Sequence, residues 1–250
     1  MRVVISPAKK MITETDSFPI DGLPLFLERT ERLSSILQAM SPRELQTLWK
    51  CNDAITSLNV DRLAHMDLYQ VLTPAVIAYE GIQYRYMAPG VMETVHLDYL
   101  RKHLRILSGF YGLLRPFDGV TPYRLEMQAR LPVDGFRDLY QFWGSRLADQ
   151  LAVESDLVLN LASKEYSHAV EPHLPQTVRF ITCTFGEWKN GKVIEKGTMC
   201  KMARGQMVRW LAEHNITDAA KLPAFDQLDY RFSPGLSTED HLVFLKDSVD

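Results

Sequence analysis

The sequence predicts an α/β protein: a single compact domain with a central mixed sheet flanked by helices. Short apolar runs typical of buried strands alternate with amphipathic segments of helical period along the chain. Apolar residues make up 46% of the 250 residues, which is enough for a sizeable core. No internal repeat, low-complexity tract or linker interrupts this pattern. We therefore expect residues 1–250 to form one domain.

Strands are predicted where the apolar runs are short and are bounded by proline, glycine or polar residues. These strands cover residues 2–5, 75–79, 157–161 and 242–245, and an extended segment covers 124–131. A hairpin is predicted from residues 178–185 and 192–195, because the Asn190-Gly191 pair between them favours a tight turn.

Helices are predicted at residues 24–40, 41–50, 52–67, 92–103, 138–154 and 198–214. The clearest start signal is Ser41, which is followed by Pro42 at the first helical position and by Glu44 at the capping-box position. In the last helix, one face is predicted to pack on the core and carries Met199, Ala203, Met207 and Trp210. The opposite face is predicted to approach a ligand and carries Lys201, Arg204, Gly205 and Val208.

A glycine turn is the most distinctive local feature of the chain. Two apolar segments flank the sequence Gly109-Phe110-Tyr111-Gly112, and three arginines surround it at positions 105, 115 and 124. Glycines allow the backbone to turn sharply and to approach a ligand closely. Backbone amides beside arginines would bind a phosphate oxygen well. The alternative is a buried helix–turn–helix corner whose arginines form salt bridges.

Charge is unevenly distributed in a chain whose formal net charge is −3. Residues 99–131 contain six basic and two acidic side chains, and residues 196–210 contain four basic side chains and no acidic one. Residues 218–250 contain seven acidic and three basic side chains. Because an acidic protein binds nucleic acid only where its positive charge is concentrated, the two basic segments are the candidates for such a surface.

Polar side chains follow two of the predicted strands. Ser6, Lys9 and Lys10 follow the first strand, and Ser163, Lys164 and Glu165 follow the strand at 157–161. In open α/β sheets, residues just beyond the carboxyl ends of strands line the ligand crevice. Lysines at this position favour an anionic ligand. A carboxyl group beside a lysine would instead suit proton transfer in an enzyme.

The composition also predicts the cellular compartment. The three cysteines, Cys51, Cys183 and Cys200, are far apart, which favours a reducing compartment over a disulfide framework. No apolar run reaches the roughly 18–20 residues of a membrane span, and the N-terminus lacks the apolar region of a signal peptide. The seven histidines show no metal-binding spacing. We expect a cytoplasmic protein without a metal site or cofactor.

Six stretches of the chain form a recognisable set. They are residues 5–9 (ISPAK), 103–116 (HLRILSGFYGLLRP), 122–127 (PYRLEM), 139–144 (LYQFWG), 160–166 (NLASKEY) and 203–207 (ARGQM). In this order they resemble the YaaA family of bacterial peroxide-stress proteins nearly from end to end. The resemblance implies a cytoplasmic protein that limits free iron and oxidative DNA damage under hydrogen peroxide. It also implies an α/β fold with a helix–hairpin–helix-like element, a positively charged cleft and DNA binding.

The chain departs from the family pattern in two places. A helix–hairpin–helix turn usually has one residue between its glycines, whereas Phe110 and Tyr111 both intervene here, and Pro116 should interrupt an outgoing helix. The position after Tyr79, which often carries a lysine in the family, carries Glu80 here. An inward-pointing glutamate would weaken the positive charge of the cleft.

These observations lead to two functional hypotheses. In the first, the protein binds double-stranded or structured DNA with little sequence preference, because phosphate contacts carry no sequence information. The expected phosphate-binding residues are Lys9, Arg105, Ser108, Gly109, Gly112, Arg115, Arg124, Lys164, Lys201 and Arg204. In the second, an enzyme acts on a nucleotide or other phosphorylated small molecule in the same cleft. A deep pocket with Glu165 or Glu126 beside a lysine would favour the second hypothesis, and a long open groove the first.

Overall fold

A mixed sheet of eight strands forms the centre of the protein, whose computed structural model describes residues 1–246. The strands of the chain are β1 (Arg2–Ile5), β2 (Lys10–Met11), β3 (Thr73–Pro74), β4 (Tyr79–Glu80), β5 (Leu104–Ser108), β6 (Gly112–Leu114), β7 (Gly119–Val120), β8 (Leu157–Leu161), β9 (Arg179–Lys189), β10 (Lys192–Ile194), β11 (Tyr230–Phe232) and β12 (His241–Lys246). The structure describes the acidic segment at 218–250 only up to Lys246. Its residues Asp247 and Asp250 lie outside the described residues.

The central sheet follows the order β11-β12-β9-β8-β1-β5-β6, and β10 pairs with β9. The five strands β12, β9, β8, β1 and β5 are parallel to their neighbours in this order. The strands β11, β6 and β10 pair with the sheet in the antiparallel sense. The chain passes from β1 to β5 on one side and later adds β8 on the other side of β1. This reversal of strand order creates a crevice at the carboxyl ends of the strands, where open α/β sheets bind ligands.

Ten helices surround the sheet in the described part of the chain, besides short 3₁₀ turns. They are α1 (Leu27–Gln38), α2 (Pro42–Trp49), α3 (Asp53–Ala64), α4 (Ala75–Ala78), α5 (Ile82–Met87), α6 (Thr94–His103), α7 (Leu139–Trp143), α8 (Arg146–Glu154), α9 (Lys164–Ser167) and α10 (Gly197–Glu213). The helix α10 packs on α5 and β9, and α6 packs on β1 and β5. The result is the predicted compact α/β fold with a mixed central sheet.

Local sequence signals placed several elements correctly. Ser41 accepts a hydrogen bond from the backbone N–H of Glu44, and the Glu44 side chain accepts one from the backbone N–H of Ser41, so the predicted capping box is confirmed. The hairpin of β9 and β10 turns at Asn190 and Gly191, both of which have positive φ. That conformation explains why this residue pair signals a tight turn.

The helix–hairpin–helix-like element is not formed at the glycine turn. Residues 104–108 form the fully buried strand β5, and the turn returns the chain to β6, with Ser108 opposite Gly112. Gly112 has a φ of +75°, and its approach to the Trp143 ring leaves no room for a Cβ atom. The apolar run buries both of its faces in the sheet, a pattern that periodicity alone does not distinguish from a buried helix.

Three further predictions of secondary structure were wrong. Residues 75–79, predicted as a strand, form the helical turn α4 followed by β4. Residues 124–131, predicted as extended, form no strand. The single helix predicted at 138–154 is divided into α7 and α8 at Gly144, where φ is +53°. Short apolar runs are ambiguous between helix and strand, and the positive φ of a glycine ends a helix.

The predicted ligand-facing side of α10 is partly buried instead of open. Gly205 and Val208 are buried, and a Cβ atom on Gly205 would lie 2.1 Å from the backbone oxygen of Gln83 in α5. The two helices thus approach closely at this glycine. The contact brings the α5 residues Gln83 and Arg85 to the same side of the protein as Lys201 and Arg204 of α10.

Replacing Gly205 with alanine is expected to lower the free energy of unfolding by about 2 kcal/mol, because the new methyl group overpacks a backbone contact. Gly197→Ala in the same helix is the matched control, since a Cβ there meets no atom within 4 Å. The control should be neutral or slightly stabilising, because alanine favours helix more than glycine does. Chemical denaturation of both variants measures the difference, and equal stabilities would contradict the close approach.

Candidate functional site: a cleft at the carboxyl ends of β1 and β8

A cleft lies where the neighbouring parallel strands β1 and β8 end. Ser6 follows β1 and Ser163 lies beyond the end of β8, and the two are joined by hydrogen bonds. The Ser163 backbone N–H donates to Ser6 Oγ at 2.8 Å, and Ser6 Oγ donates to Ser163 Oγ at 3.2 Å. The Tyr84 hydroxyl donates to the Ser6 backbone oxygen at 2.9 Å, which joins α5 to the same strand end. The floor of the cleft is therefore held rigidly by the sheet.

The cleft has a volume of about 430 Å³, and nine charged residues contribute to its lining. Its basic residues are Lys9, Lys10, Arg85, Arg124, Lys201 and Arg204. Its acidic residues are Glu80, Glu126 and Glu165. The volume falls within the range of small-ligand sites. The excess of basic groups favours an anionic occupant.

The acids neutralise only part of this positive charge. Lys9 Nζ lies 2.6 Å from Glu126 Oε1, and Lys10 Nζ lies 2.8 Å from Glu80 Oε2. Arg204 Nη2 lies 3.2 Å from Glu195 Oε1. Three other cations of the cleft have no carboxylate within 4.0 Å among residues 1–246: Arg85, Arg124 and Lys201. These three are available to pair with a ligand.

Some hydrogen-bond donors of the residues that line the cleft also have no partner among the described residues. The buried nitrogens Gln83 Nε2, Arg124 Nε and Arg204 Nε have no hydrogen-bond partner among the described residues. Buried polar groups in proteins nearly always have partners, and an unpaired one costs about 1–3 kcal/mol. All three nitrogens belong to side chains that line one cleft, so unpaired buried donors are concentrated beside the place where an anion would bind.

Glu126 and Glu165 form a second chemical feature of the cleft. Burial raises the pKa of Glu165, and the nearby negative charge of Glu126 raises it further. The backbone N–H of Gln128, 3.3 Å from Glu165 Oε1, and the positive charge of Lys9 act in the opposite direction. Glu126 is paired with Lys9, so the two carboxyl groups have different environments. Such a difference is typical of pairs that divide acid and base roles.

Comparison with known proteins places this chain in a family. The family described as "Peroxide stress protein YaaA" matches residues 1–236 of the chain. The chain belongs to the YaaA family of peroxide stress proteins. It is 51% identical over 246 residues to a UPF0246 protein of Lachnoclostridium phytofermentans, covering 98% of this chain and 96% of that protein. It is 47% identical over 249 residues to a UPF0246 protein of Pediococcus pentosaceus, covering 100% and 99% respectively.

The structure of this YaaA-family member brings four of the sequence-predicted site residues to the cleft: Lys9, Arg124, Lys201 and Arg204. Lys164 begins α9 beside the cleft, but its exposed side chain is not part of the lining. The other five predicted residues lie elsewhere: Arg105, Ser108, Gly109, Gly112 and Arg115.

The two arginines that lie elsewhere have structural partners. Arg105 is buried, and its Nη2 lies 2.7 Å from Glu154 Oε2, an oxygen that also accepts a hydrogen bond from Arg2 Nε at 2.7 Å. Arg115 Nε donates to Asp118 Oδ1 at 2.7 Å, and burial raises the pKa of the Asp118 carboxyl to about 6. These partners come from tertiary packing or from a local turn, and neither arginine faces the cleft.

Two backbone amides of the glycine turn are hydrogen-bonded to a side chain beside the turn. The N–H groups of Phe110 and Tyr111 donate to Ser108 Oγ at 3.1 and 2.9 Å, and the whole turn is buried. It therefore offers no open amides to a phosphate. Ser108 Oγ also lies 2.6 Å from the Tyr123 hydroxyl, and the Tyr123 ring lines the cleft. The turn contributes to the site by positioning one of its walls.

Several residues of the cleft were not predicted from the sequence. Gln83 and Arg85 line it because α5 packs on α10, whereas Lys10, which follows the first strand, lines it as predicted. Nothing in the local sequence of 80–87 marks these residues as functional. The only signal was Glu80, predicted to weaken the positive charge if it pointed inward, and it does line the cleft.

Two of the three cysteines, Cys183 and Cys200, are buried. Burial raises the pKa of the Cys183 and Cys200 thiols, which disfavours the thiolate that reacts with peroxide.

Within residues 1–246, no helix has both the length and the apolar character required to cross a bilayer.

Proposed function

We propose that this protein protects the cell against hydrogen peroxide by binding DNA through its phosphate groups in the cleft. One observation carries the proposal. At the carboxyl ends of β1 and β8, the cleft is lined by arginine and lysine side chains that have no carboxylate partner among residues 1–246, and by side chains with buried donors that have no partner there. Membership of the peroxide-stress family supports the biological setting. The protein would act in the cytoplasm and limit oxidative DNA damage, and any effect on free iron would follow indirectly.

The proposed contacts explain why little sequence preference is expected. Guanidinium and ammonium groups pair with phosphate oxygens, which are identical at every nucleotide. Affinity then depends on the release of counterions from the DNA, and each neutralised phosphate contributes about −0.9 to the slope of log K against log salt. Within the cleft, the cations that have no carboxylate partner among residues 1–246 are Arg85, Arg124 and Lys201, which corresponds to about three contacts.

Duplex DNA is therefore expected to bind with a salt slope of about −2.7, which corresponds to a roughly 40-fold loss of affinity between about 50 and 200 mM salt. Fluorescence anisotropy with two duplexes of unrelated sequence measures both the slope and the sequence preference. Similar affinities for the two duplexes would support the proposal. An absence of binding at low ionic strength, or an affinity independent of salt, would contradict it.

A second candidate function is supported by the carboxyl pair. Glu165 lies beside Glu126 and Lys9 in the cleft, and a carboxyl group beside a lysine is the feature predicted for an enzyme that acts on a phosphorylated small molecule. Phosphorus NMR of the protein incubated with nucleotides tests this function. Turnover that is lost in Glu165→Gln and kept in Glu171→Gln, an exposed site outside the cleft, would support an enzyme; unchanged nucleotides would exclude one for those substrates.

A further inference from the structure

The carboxyl groups of the cleft require an explanation that a DNA backbone does not supply. Phosphates and deoxyriboses within a DNA strand offer hydrogen-bond acceptors and no N–H or O–H donors. A phosphodiester beside Glu126 and Glu165 would meet two further acceptors, and their negative charges would repel it. An occupant that complements the whole cleft therefore carries both an anionic group and hydrogen-bond donors.

The dimensions of the cleft restrict the occupant further. Its volume of about 430 Å³ is that of a site for one small molecule, so a paired duplex can present only phosphates of its backbone at the mouth of the cleft. Tyr84, Tyr123 and Tyr166 are largely buried in the wall of the cleft and contribute to its lining. Small-molecule sites typically combine such aromatic residues with a few polar groups. A single nucleotide combines a phosphate, a flat ring and N–H groups on the edge of its base.

We propose that the cleft binds one nucleotide, with its phosphate at Arg124, Lys201 and Arg204 and the N–H groups of its base at Glu126 and Glu165. The proposal rests on the phosphate site of the proposed function and adds the recognition of a base. Guanine is the preferred base, because its Watson–Crick edge presents two adjacent N–H donors that match the two oxygens of a carboxylate. The nucleotide is either free or an unpaired nucleotide of DNA, and both sources present the same chemistry.

Glu126 is the carboxyl group of the cleft that is paired with a lysine. Its Oε1 atom is 2.6 Å from Lys9 Nζ. Replacing Glu126 with glutamine removes one negative charge from the cleft and releases Lys9. The substitution should therefore weaken binding of a guanine nucleotide while binding of phosphate alone is unchanged or strengthened. A merely structural role of Glu126 would weaken both.

Isothermal titration with dGMP, dTMP and inorganic phosphate tests the proposal. The wild-type protein is expected to bind dGMP about tenfold more tightly than dTMP or phosphate. Glu126→Gln should remove this advantage, and Glu165→Gln, a second variant in case the first fails to fold, should reduce it. Glu171→Gln, outside the cleft, should keep it. Equal affinities for the three ligands in the wild-type protein would overturn the proposal.

Binding experiments with DNA duplexes show whether the nucleotide is free or belongs to DNA. They also separate the nucleotide proposal from the proposal that the cleft binds the phosphates of DNA. A duplex with one unpaired dG should bind more tightly than its fully paired counterpart if the nucleotide comes from DNA. Selective binding of dGMP without that difference would assign the cleft to a free nucleotide. Salt-dependent binding of paired duplex together with no preference for dGMP or for unpaired dG would overturn the nucleotide proposal and leave the DNA-binding function intact.

Discussion

Replacing Glu154 with alanine is expected to lower the free energy of unfolding by about 3–5 kcal/mol, because it leaves a buried arginine without its counter-charge. The Arg105 side chain is 7% exposed, and its only carboxylate partner among the described residues is Glu154, which also pairs with Arg2. Urea denaturation measures the loss.

Glu213→Ala is the control for this prediction. It breaks the Arg209–Glu213 pair on the exposed side of α10, whose side chains are 28% and 32% exposed. Exposed pairs of this kind contribute about 0–1 kcal/mol. Equal losses in the two variants would show that Arg105 is not held by a buried ion pair.

The Arg105–Glu154 pair predicts that the stability of the protein depends on pH. Burial opposes ionisation of Glu154, but hydrogen bonds from Gln150 and Arg2 and the charge of Arg105 outweigh it and hold the pKa of Glu154 below its usual range. The stabilisation is therefore present above the usual pKa of a glutamate and is lost as the pH falls below it. The Glu154→Ala variant should lose this part of the acid sensitivity.

Reversing the charge of Arg124 is expected to lower the affinity for duplex DNA by at least about 100-fold at low salt. Arg124→Glu removes a phosphate contact and adds a third carboxylate to the part of the cleft that holds Glu126 and Glu165. The salt slope should become shallower by about 1–2. Fluorescence anisotropy over a range of salt concentrations measures both quantities.

Arg137→Glu provides the matched control. The Arg137 side chain is 80% exposed and lies outside the cleft, so its reversal changes the net charge of the protein equally. A loss of affinity similar to that of Arg124→Glu would show that DNA responds to overall charge and not to the cleft.

Much of the fold could be predicted because its signals are local. The capping box at Ser41 and the Asn190-Gly191 turn fix their elements within a few residues. The strands β1 and β8 are bounded by polar residues, and these polar residues predicted where the cleft lies.

The composition of the cleft could be predicted only in part because its residues come from distant segments. Arg105 and Arg124 look alike in the sequence, yet one is held by Glu154 and the other lines the cleft. Their difference arises when β5 enters the centre of the sheet and is buried. Gln83 and Arg85 reach the cleft only because Gly205 allows α5 to approach α10.

The side-chain Nε–Hε resonances of arginine test the central claim most directly. In a ¹⁵N-edited NMR titration with a short DNA duplex, the signals of Arg124 and Arg204 should shift, whereas those of Arg105 and Arg115, held by Glu154 and Asp118, should not. Arginine-to-lysine variants would assign the signals. Unchanged Arg124 and Arg204 signals at a concentration where DNA is bound, or shifts confined to Arg115, would contradict phosphate binding in the cleft.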